Sequence, residues 1–385
     1  MVANNFRLLR WFSFFYSFRP YMAISILYFS QVSGSYTLGF AVLSVAAIVS
    51  SLLEIPTGIF SDRVGRRKTV IFASMAWFLS LGTYALANSF AILTIGAIFN
   101  GLGQALISGN NNALLHDSLK EQNNEQSFPE KLGKVYAVME VGFAVSTLLA
   151  GFIALHSLRT VMVASILPQL VCIFIALRLV EPKTHTETIS GYIFNHLKEA
   201  LQAFRTNFKL RQLSIAYILD STVEMIDYEL KPAFNALIWP TWALGITRAL
   251  DHISGFFGSQ YAGKVIKKFG AVNSLLMLDV LSIVNRATFI GFPNILSPLM
   301  VSLNSFKALL SETANQTLLH SEFTDKHRAT MGSLNSLGIS LLYSLLIPLI
   351  GILADQIGPR MTFLLLPVFS VIVLPIYWNL KKYHK

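Results

Sequence analysis

The chain holds 385 residues, of which 54% are hydrophobic and only 13% charged, and its formal net charge is +10. Soluble domains carry about 25% charged residues, so one water-soluble core of this length is excluded and a polytopic membrane protein is expected. A single cysteine, Cys172, excludes an intrachain disulfide framework and a cysteine-based metal site.

Apolar runs and their breakers mark twelve segments near the length of about 20 residues that a helix needs to cross the hydrocarbon. They lie at 9–31, 36–60, 67–87, 90–116, 132–155, 158–180, 212–231, 241–263, 271–291, 296–318, 328–353 and 360–380. The first contains Arg19-Pro20 and no small-residue cleavage pattern, so it reads as a span and not as a removed signal. Twelve spans put both termini on one side. Assigned to the cytoplasm, that side collects the Lys and Arg residues, with Arg159 and Arg360 left outside. Five more, Arg19, Lys231, Arg248, Arg286 and Lys307, fall within or at the edge of spans. This is the positive-inside distribution of an inner-membrane protein with cytoplasmic termini. Cations placed in loops between apolar segments suit lipid headgroups and give no reason to expect nucleic acid.

Taken in chain order, the polar features are these. Arg19 sits midway along the first segment. Between the second and third lies Gly58-Ile59-Phe60-Ser61-Asp62-Arg63-Val64-Gly65-Arg66-Arg67-Lys68, with Asp117 at the inner end of the fourth. The fourth segment carries Asn100, Gln104, Ser108 and Asn111 along one face, and the fifth carries Gly133, Gly142 and Gly151. Residues 183–211 form the longest polar interval, in which Ile193, Leu197, Leu201 and Phe204 recur at helical spacing. It separates residues 1–182 from residues 212–385, six segments from six, as an internal duplication would. Gly258 follows Gly58 by 200 residues, and a Lys-rich turn ending at Gly270 stands where the first loop would recur.

The seventh segment bears Asp220, Glu224 and Asp227 on one stripe, continued by Lys231, and the tenth bears Asn304, Lys307, Ser311 and Asn315. Ionisable groups inside spans are costly and tend to mark pathways. Arg19, Asp220, Glu224 and Lys307 are read as cavity groups. Arg248, Asp251, His252, Asp279 and Arg286 are read as structural ion-pair residues between helices, with Arg248 paired to Asp251. A carboxyl taken out of water binds a proton more readily, which makes Asp220 and Glu224 candidate coupling groups. Glu54 and Glu140 are read as structural, and Trp239 and Trp242 as an interfacial belt. His116 has no partner at ligand spacing, so no metal site is expected.

The loop after the second segment resembles the signature loop of the major facilitator superfamily: glycine, three residues, Asp-Arg, one residue, Gly-Arg-Arg/Lys. Gly58, Asp62, Arg63, Gly65, Arg66 and Arg67 match its fixed positions. The resemblance, closest in kind to bacterial drug/proton antiporter-type members, implies an all-α fold of two pseudo-symmetric six-helix bundles. It implies that helices 1, 4, 7 and 10 line a central cavity, and these are the segments with polar stripes. It also implies a gating role for the loop: Asp62 would meet the start of the eleventh helix near Ala329 to Gly332, with Asp117 pairing Arg63 or Arg66. Anchoring at the headgroups is the plainer alternative. Other motifs are only half kept. Ser146-Thr147 replaces a Gly-Pro of the family's export pattern, Ala150 replaces its paired glycine, and Ala97 stands where an arginine is usual before Gly101, Gly103 and Ala105.

The expectation is therefore a monomeric, non-enzymatic secondary transporter without cofactor or metal. It would move a small molecule by alternating access, coupled to protons and directed outward. Import or export of a polar or zwitterionic metabolite, siderophore-like or carboxylate, is the rival, because charged side chains do not suit an apolar drug. A membrane sensor on the same scaffold is the third reading. No Ser/His/Asp grouping, metal spacing or phosphate loop points to an enzyme.

Overall fold

The computed structural model describes residues 2–183, 204–322 and 328–383. Most of the expected linker helix and the side chains at 328–330, where the partner of Asp62 is expected, lie outside the described residues. All regular structure in the described residues is helical. The chain divides into two compact units, Met1–Thr188 and Ile189–Lys385.

In the first unit, α1 (Asn5–Ser17) and α2 (Ser25–Ser33) form the first span, followed by α3 (Tyr36–Val64) and α4 (Arg66–Leu86). Next come α5 (Phe90–Ile107) with α6 (Asn110–Glu121), then α7 (Phe128–Ala154), then α8 (Leu158–Ala164) with α9 (Ile166–Arg178). Three expected continuous helices of this unit are interrupted, the sixth only at Ser165 between α8 and α9. Pro20 has no N–H to donate and pushes Arg19 out of the helical region, so α1 ends at Ser17 and Pro20–Ala23 form a 3₁₀ turn. In the fourth span Ser108 leaves the helical region and Gly109 takes φ +68°, so the polar face from Asn100 to Asn111 is divided between α5 and α6.

The second unit holds α10 (Phe208–Asn235), α11 (Leu244–Phe269), α12 (Ala271–Phe289), α13 (Ser297–Ser302) with α14 (Asn304–Glu322), and α15 (Arg328–Leu380). α15 covers the eleventh and twelfth expected segments, which meet at Gly358 with φ 81° and ψ 156°.

Among the described residues, six helical stretches are long and apolar enough to cross a bilayer unaided: Tyr36–Val64, Arg66–Leu86, Phe90–Glu121, Glu125–Ala154, Leu158–Arg178 and Met331–Leu380. The α11–α12 pair qualifies jointly, with a bend of 117° between its helices. What falls short is the first span, interrupted at Pro20, together with α10 and α14, which hold the buried charges described below. Their shortfall is thus the cost of the polar groups they carry.

Leu52, Phe152, Leu167, Val284 and Leu345 are exposed on the helix surfaces. Large apolar faces of this kind need lipid to cover them. The interiors are packed separately in each unit. Around Phe29, Trp77 and Tyr84 the first unit closes on small residues, and around Leu213, Leu275 and Tyr377 the second does the same. Helices approach most closely where no Cβ intervenes. A Cβ at Gly101 would lie 2.5 Å from the Ala46 carbonyl oxygen, and one at Gly258 would lie 2.3 Å from that of Phe306. Those contacts draw α5 onto α3 and α11 onto α14 at van der Waals distance.

A buried charge network and a cationic loop

The stripe on α10 predicts carboxylates on one face, and Asp220, Glu224 and Asp227 are indeed aligned there. What they meet is Lys307 on α14. Its Nζ donates to Asp220 Oδ1 and Glu224 Oε1, both at 2.7 Å, and stands 3.0 Å from Asp279 Oδ1 on α12. Arg286, two turns along α12 from Asp279, places Nη2 2.8 Å from Asp227 Oδ1 and 3.7 Å from Glu224 Oε1. Lys231 then links Asp227, at 3.5 Å, to Asp251 on α11, at 2.8 Å. Arg248 completes the chain: Nη1 lies 3.5 Å from Asp251 Oδ2, Nη2 donates to the Tyr228 carbonyl, and the guanidinium sits 3.7 Å from the Tyr228 ring centroid.

Five carboxylates and four cations thus form one connected network across α10, α11, α12 and α14. Neutral groups extend it. Ser305 donates to Asp251, while Asn315 donates to Asp220 at 3.4 Å and accepts from Tyr377. All nine charged side chains are buried except Glu224, which is partly open. In a low-dielectric interior each ion would cost several kcal/mol if unpaired, so these pairings decide how α10, α12 and α14 are rotated.

The structure brings Asp220, Glu224 and Lys307 into direct contact, with Asp227 one arginine away. Asp279, Arg286, Asp251 and Arg248, read from the sequence as separate structural pairs, belong to the same network. The signal was present: Asp279 and Arg286 are seven residues apart on an otherwise uncharged helix, hence on one face. Asn304 is buried at the start of α14, and its amide nitrogen finds no hydrogen-bond partner among the described residues.

The remaining expected cavity residues lie in the first unit. Arg19, exposed by helix breakage from its own backbone ladder, is 8% exposed to solvent and packs against aromatic rings. Its guanidinium lies 4.5 Å from the ring centroids of Tyr16 and Trp77 and 5.6 Å from that of Phe143. No carboxylate pairs with it among the described residues; the ring faces supply the compensating negative potential. Asn100 donates to Tyr21 OH at 3.4 Å and accepts from Gln104 at 3.1 Å. Ser108 is exposed in the break between α5 and α6. Beside that break lies a cavity of about 240 Å³, lined by Ser13, Tyr16, Gly109, Asn111, Asn112 and Tyr136 among others. Its polar lining is hydroxyl and amide, without a charged group.

The cationic loop ties four elements of the first unit together. Gly65 takes φ 106° and ψ 150°, a backbone state closed to other residues, and this turns α3 into α4. Gly270 repeats the state between α11 and α12, with φ 78° and ψ 154°. Gly58, by contrast, has open space where its Cβ would be. Asp62 pairs with Arg66 at 2.9 Å, and Asp117 stands 3.8 Å from Arg66 Nε. Of the two partners weighed for Asp117, the structure supplies Arg66. Arg66 also donates to Ser61, and Arg67 to the Leu177 carbonyl, while Arg63 is exposed. A residue that sequence reasoning missed caps the turn. Glu181, beyond α9, accepts from the backbone N–H groups of Arg66 and Arg67 at 2.7 and 2.8 Å. A carboxylate on the first N–H groups of a helix satisfies orphan donors and meets the positive end of the dipole. Nothing local marks Glu181 for this role, since it is more than 100 residues from the turn it caps.

Comparison with known proteins agrees with this architecture. A family model described as Major Facilitator Superfamily matches residues 8–306. An uncharacterized transporter of Buchnera aphidicola subsp. Schizaphis graminum is 34% identical over 99 residues, which is 26% of this chain and 23% of that protein. An uncharacterized transporter of Buchnera aphidicola subsp. Acyrthosiphon pisum is 32% identical over 108 residues, covering 28% of this chain and 25% of that protein. The chain therefore spans about a quarter of the length of the curated relatives it matches. Solved structures share the fold over almost the whole chain. The nucleoside transporter NupG superposes with a TM-score of 0.81 at 14% identity, over 99% of this chain and 100% of that one. A bacterial homolog of the human lysosomal transporter Spinster gives 0.79 at 16% identity, over 98% and 96%. A D-xylose-proton symporter gives 0.75 at 14% identity, over 98% and 97%.

Proposed function

The chain belongs to the Major Facilitator Superfamily, and from that membership we propose that it is a secondary active transporter that exports a small solute in exchange for protons by alternating access. It is a multi-pass membrane protein. Under this proposal it works as a monomer in the cytoplasmic membrane, with both termini inside.

The observation that carries proton coupling is the network on Lys307. One ammonium is shared by Asp220, Glu224 and Asp279, so a proton gained or lost by any carboxyl changes how strongly Lys307 is held by the others. Such a rearrangement alters the pairing between α10, α12 and α14, which is the kind of two-state element that alternating access requires. The scaffold is compatible with such coupling, since one structure of this fold is named as a proton symporter. Outward direction rests on the family's export pattern, of which α7 keeps Gly133, Gly142 and Gly151 at the matching spacing but not the Gly-Pro, where Ser146-Thr147 stand.

A second reading of the solute has its own support. Every cation of the network is already paired with a carboxylate of this chain, and the cavity beside Tyr16 sets the neutral polar groups of Ser13, Tyr16, Asn111, Asn112 and Tyr136 beside Ile107, Val135 and Met139. A mixed, uncharged lining of that kind suits a solute that carries both hydrogen-bonding groups and some apolar surface.

The test is transport in proteoliposomes with an imposed pH gradient and a panel of neutral hydroxylated, carboxylate, zwitterionic and cationic apolar solutes. Gradient-driven movement of at least one class is expected, and Glu224→Gln and Asp220→Asn should uncouple it from pH. Movement of none across the panel would favour the sensor reading. Undiminished coupling in both variants would remove the network from the mechanism.

A further inference from the structure

One end of the first unit carries positive charge that no acid balances. α1 exposes Arg7 and Arg10, one helical turn apart, and α7 contributes Lys131. The ring of Phe6 is common to two of them: the Arg10 guanidinium lies 5.7 Å from its centroid and the Lys131 ammonium 5.2 Å. A ring face attracts each cation, yet two cations held at one ring repel each other. Glu130, beside Lys131 in sequence, is engaged by Lys134, and none of the three cations forms an ion pair or a hydrogen bond among the described residues. Arg66 and Arg67 of the same unit differ: Arg66 has Asp62 and Asp117, and Arg67 has the Leu177 carbonyl.

The exposed side of α1 turns aromatic just beyond the charges. Trp11 is 55% exposed, and its ring stands 6.2 Å from that of Phe14 and 6.3 Å from that of Phe15. Arg7, Trp11 and Phe14 recur at i, i+4 and i+7, so charge and aromatic surface succeed one another along one face. α7 is held close beside this face, since a Cβ at Gly142 would lie 2.6 Å from the Phe14 carbonyl oxygen. Cations followed by an exposed tryptophan mark the boundary between headgroups and acyl chains.

A soluble anion would neutralise the cations and leave Trp11 uncovered, while a zwitterionic lipid would cover Trp11 and leave the cations in excess. A phospholipid of net negative charge answers both. We infer that α1 and α7 form a binding site for an anionic phospholipid, its headgroup phosphate held by Arg10 and Lys131 with Arg7 at the edge, and an acyl chain lying along Trp11 and Phe14. Under the proposed orientation the site lies in the cytoplasmic leaflet. It requires only that the chain be embedded in lipid and is independent of solute, coupling and direction.

A second cationic surface provides the comparison. Lys264 and Lys268 also stand beside rings, Tyr261 and Phe269, but there each cation has a ring of its own on the single helix α11.

The experiment uses purified full-length protein in detergent, titrated with phosphatidylglycerol or phosphatidylcholine carrying the same brominated acyl chains, which quench tryptophan on contact. The chain has five tryptophans, so the Trp11 signal is taken as the difference between wild type and Trp11→Phe. Each cation facing an anionic lipid is worth about fivefold in binding, so phosphatidylglycerol should quench Trp11 at a concentration at least about tenfold lower than phosphatidylcholine. Arg10→Gln/Lys131→Gln should erase that preference and leave quenching by phosphatidylcholine unchanged, whereas Lys264→Gln/Lys268→Gln should keep it. Equal midpoints for the two lipids in the wild type overturn the site without reference to a cation variant. Loss of the preference in Lys264→Gln/Lys268→Gln would reduce it to general surface charge and overturn it as well. Glycerol phosphate equimolar with the lipid should not displace phosphatidylglycerol; full displacement would assign the cations to a soluble phosphate and sink the lipid site.

Discussion

Gly65 and Gly58 stand seven residues apart in one motif, yet the structure asks opposite things of them. At Gly65 a side chain would meet strained backbone and, at 2.8 Å, a carboxylate oxygen of Glu181. Gly65→Ala should therefore lower stability by about 2 kcal/mol, read as a lower melting temperature, while Gly58→Ala should leave it unchanged. Equal effects in the two variants would show that the loop does not adopt this turn. Lys307 presents the other residue-scale dependence. Lys307→Met strands three acids, Asp220 and Asp279 buried and Glu224 partly open, around one vacated site, and the expected loss is about 3–5 kcal/mol. Asp279→Asn added to that variant should recover part of it, measurable as a double-mutant cycle.

Between elements, the deciding quantity is how closely helices approach and how each is rotated. α11 and α14 touch at Gly258 with no room for a side chain. Gly258→Leu should push them apart, disrupt Ser305–Asp251 pairing and cost more than 2 kcal/mol by overpacking. Gly263→Ala, on the same helix but facing open space, should be neutral in the same thermal-unfolding series. The helices themselves were legible from apolar runs and breakers, because length and hydrophobicity are local properties. The breaks were less so. Arg19-Pro20 announces one by removing a donor, whereas the Ser108–Gly109 break competes with a strong helical pattern on both sides and shows in the structure through the extended ψ of Ser108 and the positive φ of Gly109.

For the whole molecule, the apolar helix surfaces require a bilayer, and under the proposed orientation the loop cations face the cytoplasm. Cys172 is fully buried, so single cysteines placed elsewhere report alone. Under the proposed orientation His156→Cys should react with a membrane-impermeant thiol reagent added outside intact cells, and Lys267→Cys should react only after permeabilisation. The reverse pattern would invert the topology. Composition and run lengths were enough to determine a helical membrane protein and its apolar segments, and the resemblance of the 58–68 loop implied the transporter scaffold and the glycine at position 65. Each of these follows from patterns within a few tens of residues. Tertiary structure alone decided that Asp279 and Arg286 share one network with Asp220, Glu224 and Lys307, that Glu181 caps α4, and that Arg19 rests on aromatic rings. Those partners are separated by up to about 124 residues, from Arg19 to Phe143, and which of them meet depends on helix rotation and crossing, which packing of the entire unit sets and no local pattern encodes.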